Sequence, residues 1–373
     1  MSYCEDRSVN LAYEKRDVDN EKSSMIYILN MIKNILPDYI EIIEKRYNML
    51  EIISLLEPIG RRNLSNKMGL SERNIRTEAN ILKEQGLIEI TSEGMNITKK
   101  GKDTIENLKY IFKELKGLKK IESKVKEILG IKRVFVVSDT IGDKKLVLKL
   151  LGDAVSNYLN EILKDGSVIG VTGGTTMYHV IEEFKAPKQN FHNVIVIPAR
   201  GGVGKEVQYQ ANTLVQKLSD KLGCNYKTLY TPDSLSENAI QSLKNEPSIK
   251  EIIELIPKID VLIFGIGRAD KMARRRGLGE DEVRYLLEKG AVSEAFGYYF
   301  NEQGKIVHEI STIGINLEQF KKLKHVIAVA GGEEKTEAII SISKLNKELV
   351  LVTDERVAKK IILKYKEDVK NEC

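Results

Sequence analysis

Val168-Ile169-Gly170-Val171-Thr172-Gly173-Gly174-Thr175-Thr176-Met177 is the stretch on which the fold turns. The run up to Thr172 carries no charge and no polar alternation, the pattern of a strand covered on both faces within a parallel sheet. Gly173 and Gly174 then turn the backbone tightly, and Thr175 opens a helix. N–H groups at a helix N-terminus, with two hydroxyls beside them, make a cradle for phosphate. Strand, glycine turn and helix in that order predict an open α/β sheet whose ligand sits beyond the strand ends.

Similar apolar runs stand at 134–137, 194–198, 261–265, 326–330 and 349–353, with helical spacing between most of them, as at 146–163 and 208–222. This alternation predicts a Rossmann-like parallel α/β domain over 131–373. The residues just past each strand look alike. Ala199-Arg200-Gly201-Gly202-Val203-Gly204 follows one, with Gln210 on the next helix. Ile266-Gly267-Arg268-Ala269-Asp270 follows another and leads to Arg274-Arg275-Arg276. Gly331-Gly332-Glu333-Glu334-Lys335-Thr336 follows a third. Cations and glycine turns converging on one sheet edge suit phosphate oxygens. Glu294 is placed to accept hydrogen bonds from sugar hydroxyls. Each signal alone also fits a plain turn or a solvated loop, and the three arginines read alone are surface charge. No strict nucleotide fingerprint is present: Ala199 takes the place of the P-loop's first glycine, and Glu206 that of its Ser/Thr. Runs at 296–299 and 306–308 around Asn301-Glu302-Gln303-Gly304 predict a local hairpin.

Upstream, Arg61-Arg62-Asn63-Leu64-Ser65-Asn66-Lys67-Met68-Gly69-Leu70-Ser71-Glu72-Arg73-Asn74-Ile75-Arg76 reads as helix, turn, helix. Gly69 suits the left-handed turn, and Ser71 suits the N-cap. The second helix buries Ile75, Ala79 and Leu82, and Gly86 stops it. Strands at 87–91 and 95–98 about Ser92-Glu93-Gly94 form a wing. Arg73, Asn74, Arg76 and Thr77 lie at the N-terminal end of the recognition helix, where Arg and Asn reach base edges. Arg61, Arg62 and Ser65 are placed to hold DNA phosphates. Thr91, Ser92 and Asn96 on the wing can touch the backbone. The same pattern also fits a solvated basic face or a protein-interaction module.

A length of 373 residues suggests two domains, and 42% hydrophobic residues supply a real core. The net charge of +5 is too small to indicate nucleic acid by itself. The division expected is a polar arm at 1–24, a winged helix-turn-helix at 25–100, a connector helix at 101–130 and the α/β domain at 131–373. The first helix starts at Met25, with Ile26, Leu29 and Ile32 on its apolar face. The connector, with a break at Gly117, carries an apolar seam that includes Ile105, Phe112, Leu118 and Val125. A seam of that length suits pairing with a second chain, hence a homo-oligomer. Cys4, Cys224 and Cys373 show no metal or disulfide spacing, and the four histidines form no metal motif. The polar first 20 residues and the lack of a long apolar run predict a soluble cytoplasmic protein without membrane contact.

Together, Glu57-Pro58-Ile59-Gly60-Arg61-Arg62, Leu70-Ser71-Glu72-Arg73, Leu82-Lys83-Glu84-Gln85, Gly173-Gly174-Thr175-Thr176-Met177, Pro198-Ala199-Arg200-Gly201-Gly202, the segment 272–276 and Glu294-Ala295-Phe296-Gly297-Tyr298-Tyr299-Phe300 resemble the sorbitol-operon (SorC-type) regulator family. Within it they resemble the branch that governs glycolytic genes, from about Met25 to the C-terminus. The resemblance implies a repressor that binds operator DNA, takes fructose 1,6-bisphosphate as effector and needs no cofactor. It implies an effector domain like sugar-phosphate isomerases and deaminases, without their activity. By motif it assigns effector contacts to Gly173, Gly174, Thr175, Thr176, Arg200, Gln210, Arg275, Glu294 and Lys335. It thus raises Arg275 above the surface reading. The spacers before Lys335 are acidic here, Glu333 and Glu334, which sets negative charge beside the expected phosphate. The competing reading is a sugar-phosphate isomerase with Glu294 as base and a histidine opening the ring. None of the four histidines stands in a motif beside Glu294.

Overall fold

The computed structural model describes residues 28, 31, 34–139, 143–187, 189–202, 206–232 and 235–371. The expected arm at 1–24, most of the helix from Met25, and Val203-Gly204 lie outside the described residues. The chain divides into two units, Met1–Lys120 and Ile121–Cys373.

In the first unit, helix Pro37–Leu56 starts on proline, whose missing N–H costs nothing at that position. Helix Arg61–Met68 ends on Gly69 at φ 65°, the left-handed cap foreseen. The Ser71 hydroxyl accepts from Asn74 N–H and opens helix Glu72–Glu84. Strands β1 (Ile88–Ile90) and β2 (Met95–Ile97) pair antiparallel, and Ile59 bridges to Met95 on the far side. Leu64, Ile75, Ala79, Leu82, Ile88 and Met95 are all buried beneath them. One charge lies in that core. Glu78 takes Lys45 at 2.5 Å and Arg46 at 2.8 Å, tying the recognition helix to Pro37–Leu56. Burial pushes the Glu78 carboxyl up, but hydrogen bonds from Lys45 and Arg46 outweigh it and hold the group below the usual range.

The expected single connector is two helices, Lys99–Leu115 and Leu118–Leu129, with Gly117 at φ 68° between them. Neither forms a unit of its own. Phe112 stacks on Tyr47 with ring centroids 4.0 Å apart, so that part of the seam is satisfied inside the first unit. Past the division at Lys120, the buried Glu122 carboxylate accepts Val136 N–H at 2.7 Å and fastens the second helix to the α/β unit. The 101–130 connector is therefore shared between the two units.

The second unit is built on seven parallel strands: β3 (Arg133–Val137), β4 (Val168–Val171), β5 (Ile195–Pro198), β6 (Asn225–Tyr226), β7 (Val261–Gly265), β12 (His325–Val329) and β13 (Leu349–Asp354). Their order is β3-β13-β12-β7-β4-β5-β6. Alternate residues serve opposite faces. Ile169, Val171, Ile263, Ile327 and Val350 pack with helices Lys144–Ile162, Thr175–Glu182 and Ala211–Leu222. Phe264 meets Phe296 and Phe320 on the other side, at 4.9 and 5.6 Å between ring centroids. A smaller antiparallel sheet has the order β11-β10-β9-β8, from β8 (Gly267–Arg268), β9 (Ala291–Ala295), β10 (Tyr298–Asn301) and β11 (Ile306–Glu309). The foreseen hairpin is β10–β11. Its first strand starts at Tyr298, because Phe296 and Gly297, both at positive φ, make the turn from β9.

β4 continues to β5 on one side, while its other neighbour β7 is followed outward by β12. The connections reverse between β4 and β7, and such a switch point opens a crevice at the strand carboxyl ends. No helix among the described residues is long and apolar enough to cross a membrane, and no group of metal-ligating side chains forms among them.

Candidate functional site

A cleft of about 390 Å³ lies at that switch point. Its wall draws on the ends of three central strands: Gly173–Thr176 after β4, Gly265–Gly267 after β7, and Glu334 and Lys335 after β12. Among the described residues six cations line it, Arg200, Arg268, Lys271, Arg275, Arg276 and Lys335, against the two carboxylates Glu294 and Glu334. That balance selects an anionic occupant.

Helix Thr175–Glu182 points its N-terminus at the cleft. Gly174 holds the N-cap position at φ 133°, and no side chain caps the helix. A Cβ on Gly173 would lie 2.6 Å from the Tyr209 carbonyl oxygen, so only glycine fits there. The first turn therefore offers backbone N–H groups and two threonine hydroxyls to an anion. Lys335 Nζ donates to Thr176 Oγ1 at 3.2 Å, which sets an amine over the same helix end. Burial pushes the Lys335 amine down, with Glu334 and Asp354 pulling it back up.

The three adjacent arginines part company. Arg274 is exposed and grips Glu280 through two bonds of 2.9 and 3.0 Å, as the surface reading expected. Arg275 lines the cleft, with its guanidinium 5.8 Å from the Tyr209 ring centroid. Arg276 turns inward, where its Nη2 donates to Glu294 Oε1 at 2.8 Å and both side chains are at most 5% exposed. Arg276 corrects the surface reading of this run; the resemblance took in the segment 272–276 but gave this arginine no role. A sequence signal existed for its neighbours, since positions 268, 271, 272 and 275 share one helical face. All four line the cleft.

Glu294 Oε1 also accepts from Arg200 Nη1 at 3.4 Å and from Gly297 N–H at 2.9 Å. The carboxylate expected to greet sugar hydroxyls is thus first of all the anchor of two buried arginines. Gln210 is not among the described residues that line the cleft. It holds the N-cap position of helix Ala211–Leu222 with no capping bond from its side chain, and its Cδ lies 4.0 Å from a Cβ placed on Gly202.

On the first unit, Arg61, Arg62, Arg73, Asn74, Arg76 and Thr77 are all exposed, with the last four on the first two turns of Glu72–Glu84. Thr77 Oγ1 donates back to the Arg73 carbonyl at 3.2 Å. Ser65 departs from expectation. It is buried, and its hydroxyl donates to the Leu70 carbonyl at 2.5 Å, closing the turn between the two helices. Its one proton is spent there, so it stabilises the turn and has none left for a phosphate. On the wing, Thr91 Oγ1 likewise closes its own turn onto the Gly94 carbonyl.

The chain matches two family models end to end: the N-terminal DNA-binding domain of CggR at residues 42–112 and a sugar-binding domain at residues 113–363. It is 39% identical to the central glycolytic genes regulator of Priestia megaterium, over 90% of this chain and 98% of that protein. It is 37% identical to the protein of the same name from Bacillus subtilis, over 91% and 99%. Among solved structures, a SorC-family transcriptional regulator from Enterococcus faecalis is 40% identical with a TM-score of 0.61, covering 65% of this chain and 99% of that one. The full-length sorbitol operon regulator SorC from Klebsiella pneumoniae shares the fold, with a TM-score of 0.62 at 21% identity, over 82% and 94%. With a winged helix-turn-helix, a switch-point cleft and these matches over nearly its whole length, the chain belongs to the SorC-type family of sugar-binding transcription regulators, close to its central glycolytic genes regulators.

Proposed function

We propose that this chain represses glycolytic genes and that fructose 1,6-bisphosphate, held in the cleft, weakens its grip on operator DNA. The observation that carries the effector half is the excess of cations around an uncapped helix N-terminus at the switch point. One phosphate lies on Gly173, Gly174, Thr175 and Thr176 under Lys335. The second is met by Arg275, and Glu294 faces the sugar. The names of the Priestia and Bacillus relatives support the gene class. On the DNA side, Arg73, Asn74, Arg76 and Thr77 read bases while Arg61 and Arg62 hold phosphates. Copies of the chain bind a two-part operator jointly, and the effector binds unequally to the arrangements that can and cannot engage both parts. Against the isomerase reading, no histidine is among the described residues lining the cleft, and Glu294 Oε1 is taken by three donors.

Calorimetric titration of the full chain with fructose 1,6-bisphosphate and with fructose 6-phosphate, in wild type and Arg275→Ala, tests the effector. Preference for the bisphosphate that vanishes in the variant supports the assignment. Equal binding of the two sugars transfers the cleft to another phosphosugar. Turnover of either sugar revives the enzyme.

A further inference from the structure

The turn that delivers Lys335 is held from behind. Asp354 is the last residue of β13, 3% exposed, and it does not line the cleft. Its Oδ2 accepts Gly332 N–H at 2.6 Å, and its Oδ1 accepts Val357 N–H at 3.0 Å. One carboxylate thus ties the Gly331-Gly332 turn to the first turn of helix Glu355–Asn371. Thr353 adds a second tie, its hydroxyl donating to the Ala330 carbonyl at 2.7 Å. Gly332 sits at φ 94°, and Lys335 N–H closes onto its carbonyl at 2.9 Å, so the orientation of Gly332 sets where the lysine starts. A Cβ on Gly331 would come within 3.0 Å of Asp354 Oδ2, so glycine keeps that space for the carboxylate.

We propose that Asp354 is the positioning residue of the anion cleft: by gripping Gly332 it aims Lys335 at the helix end beside Thr176. This rests on the reading of the cleft as a phosphate site. The charges facing Lys335 sort by element. Glu334 comes from its own turn and Asp354 from β13, and both favour the ammonium. Arg200, Arg276 and Glu294 line the same cleft bonded to one another, with Arg268, Lys271 and Arg275 on or beside helix Ala269–Arg275. Burial opposes the charged form, so removing a carboxylate moves the amine's titration to lower pH.

The test follows Lys335 in the full chain by NMR of isotope-labelled lysine side chains, its signal identified by loss in Lys335→Met. Wild type, Asp354→Asn and Gly331→Ala are compared, and each is then titrated with fructose 1,6-bisphosphate. The expected result for Asp354→Asn is a lower titration midpoint and about tenfold weaker binding, as one missing charge-assisted hydrogen bond would give. Gly331→Ala keeps the charge but displaces it, and it loses affinity as well. An Asp354→Asn protein that folds normally with both midpoint and affinity unchanged overturns the proposal. Should that variant not fold, Gly331→Ala decides by the same two readouts. A shifted midpoint in a chain whose wild type ignores the bisphosphate upholds the positioning role and discards the effector assignment.

Discussion

Replacing Arg276 by Met removes one half of a buried ion pair and leaves the other. The pair is 2.8 Å long between side chains 3% and 5% exposed. Breaking a buried pair from one side typically costs about 3–5 kcal/mol, since the orphaned charge keeps its desolvation penalty. Here the orphan is Glu294, and Arg200 at 3.4 Å and Gly297 N–H at 2.9 Å remain to hold it. We therefore expect the low end, about 3 kcal/mol. Arg274 is the internal control, close by in the chain but exposed and paired with Glu280. Arg274→Met should leave stability unchanged within error. Urea unfolding, followed by circular dichroism on both variants and wild type, reads the difference directly, with the slope checked so that a shifted midpoint reports stability alone. Arg276→Met with Glu294→Leu should not regain the loss, because the buried Arg200 guanidinium and the Gly297 N–H then lose the same carboxylate. Equal, small effects of the Arg274 and Arg276 substitutions would refute the division of roles along this run. So would a double variant as stable as wild type.

Four further outcomes follow from the geometry. Arg73→Ala and Arg76→Ala should each weaken operator binding about tenfold without touching effector affinity, whereas Ser65→Ala should keep the salt dependence of DNA binding and lose about 1 kcal/mol of stability through its turn. Fluorescence anisotropy at several salt concentrations, beside melting curves, separates the two. Glu78 is held below its ordinary range, so it adds stability above its unfolded titration point that is lost as pH falls through its folded one. Glu78→Gln should be less stable at neutral pH and show a flatter acid limb in pH-dependent melting. Cys224 is half-buried with its thiol pushed up to about 11, so in a Cys4→Ser/Cys373→Ser background it should resist alkylation near neutrality until the chain unfolds. Gly174→Ala forces a side chain onto φ 133°, and calorimetry should find effector binding abolished while the sheet stays folded.

Much was legible in the sequence because it is local. Continuous apolar runs announce buried parallel strands, and each run foreseen matches an observed strand within about one residue, as β7 at Val261–Gly265 shows outright. Gly69 and Ser71 specify a helix end and a helix start through their own backbone chemistry, and both do so in the fold. Gly173 announces a close approach and Gly174 a left-handed backbone, and both are legible from residue type alone. The tertiary structure decided what depends on partners remote in the chain. Three neighbouring arginines look alike in sequence. Which one turns inward is set by Glu294, 18 residues on from Arg276 and brought beside it when β9 pairs with β8. Ser65 looks like a phosphate ligand until the turn folds back and offers it the Leu70 carbonyl. The connector's apolar seam states only that something must cover it. Tyr47 covers Phe112, and β3 takes Glu122, so the seam is divided where sequence periodicity runs on unbroken but for Gly117. Asp354 carries no motif at all. Its meaning arises only where β13 ends beside the turn that follows β12, since a hydrogen bond between residues 22 apart is made by sheet order and not by spacing.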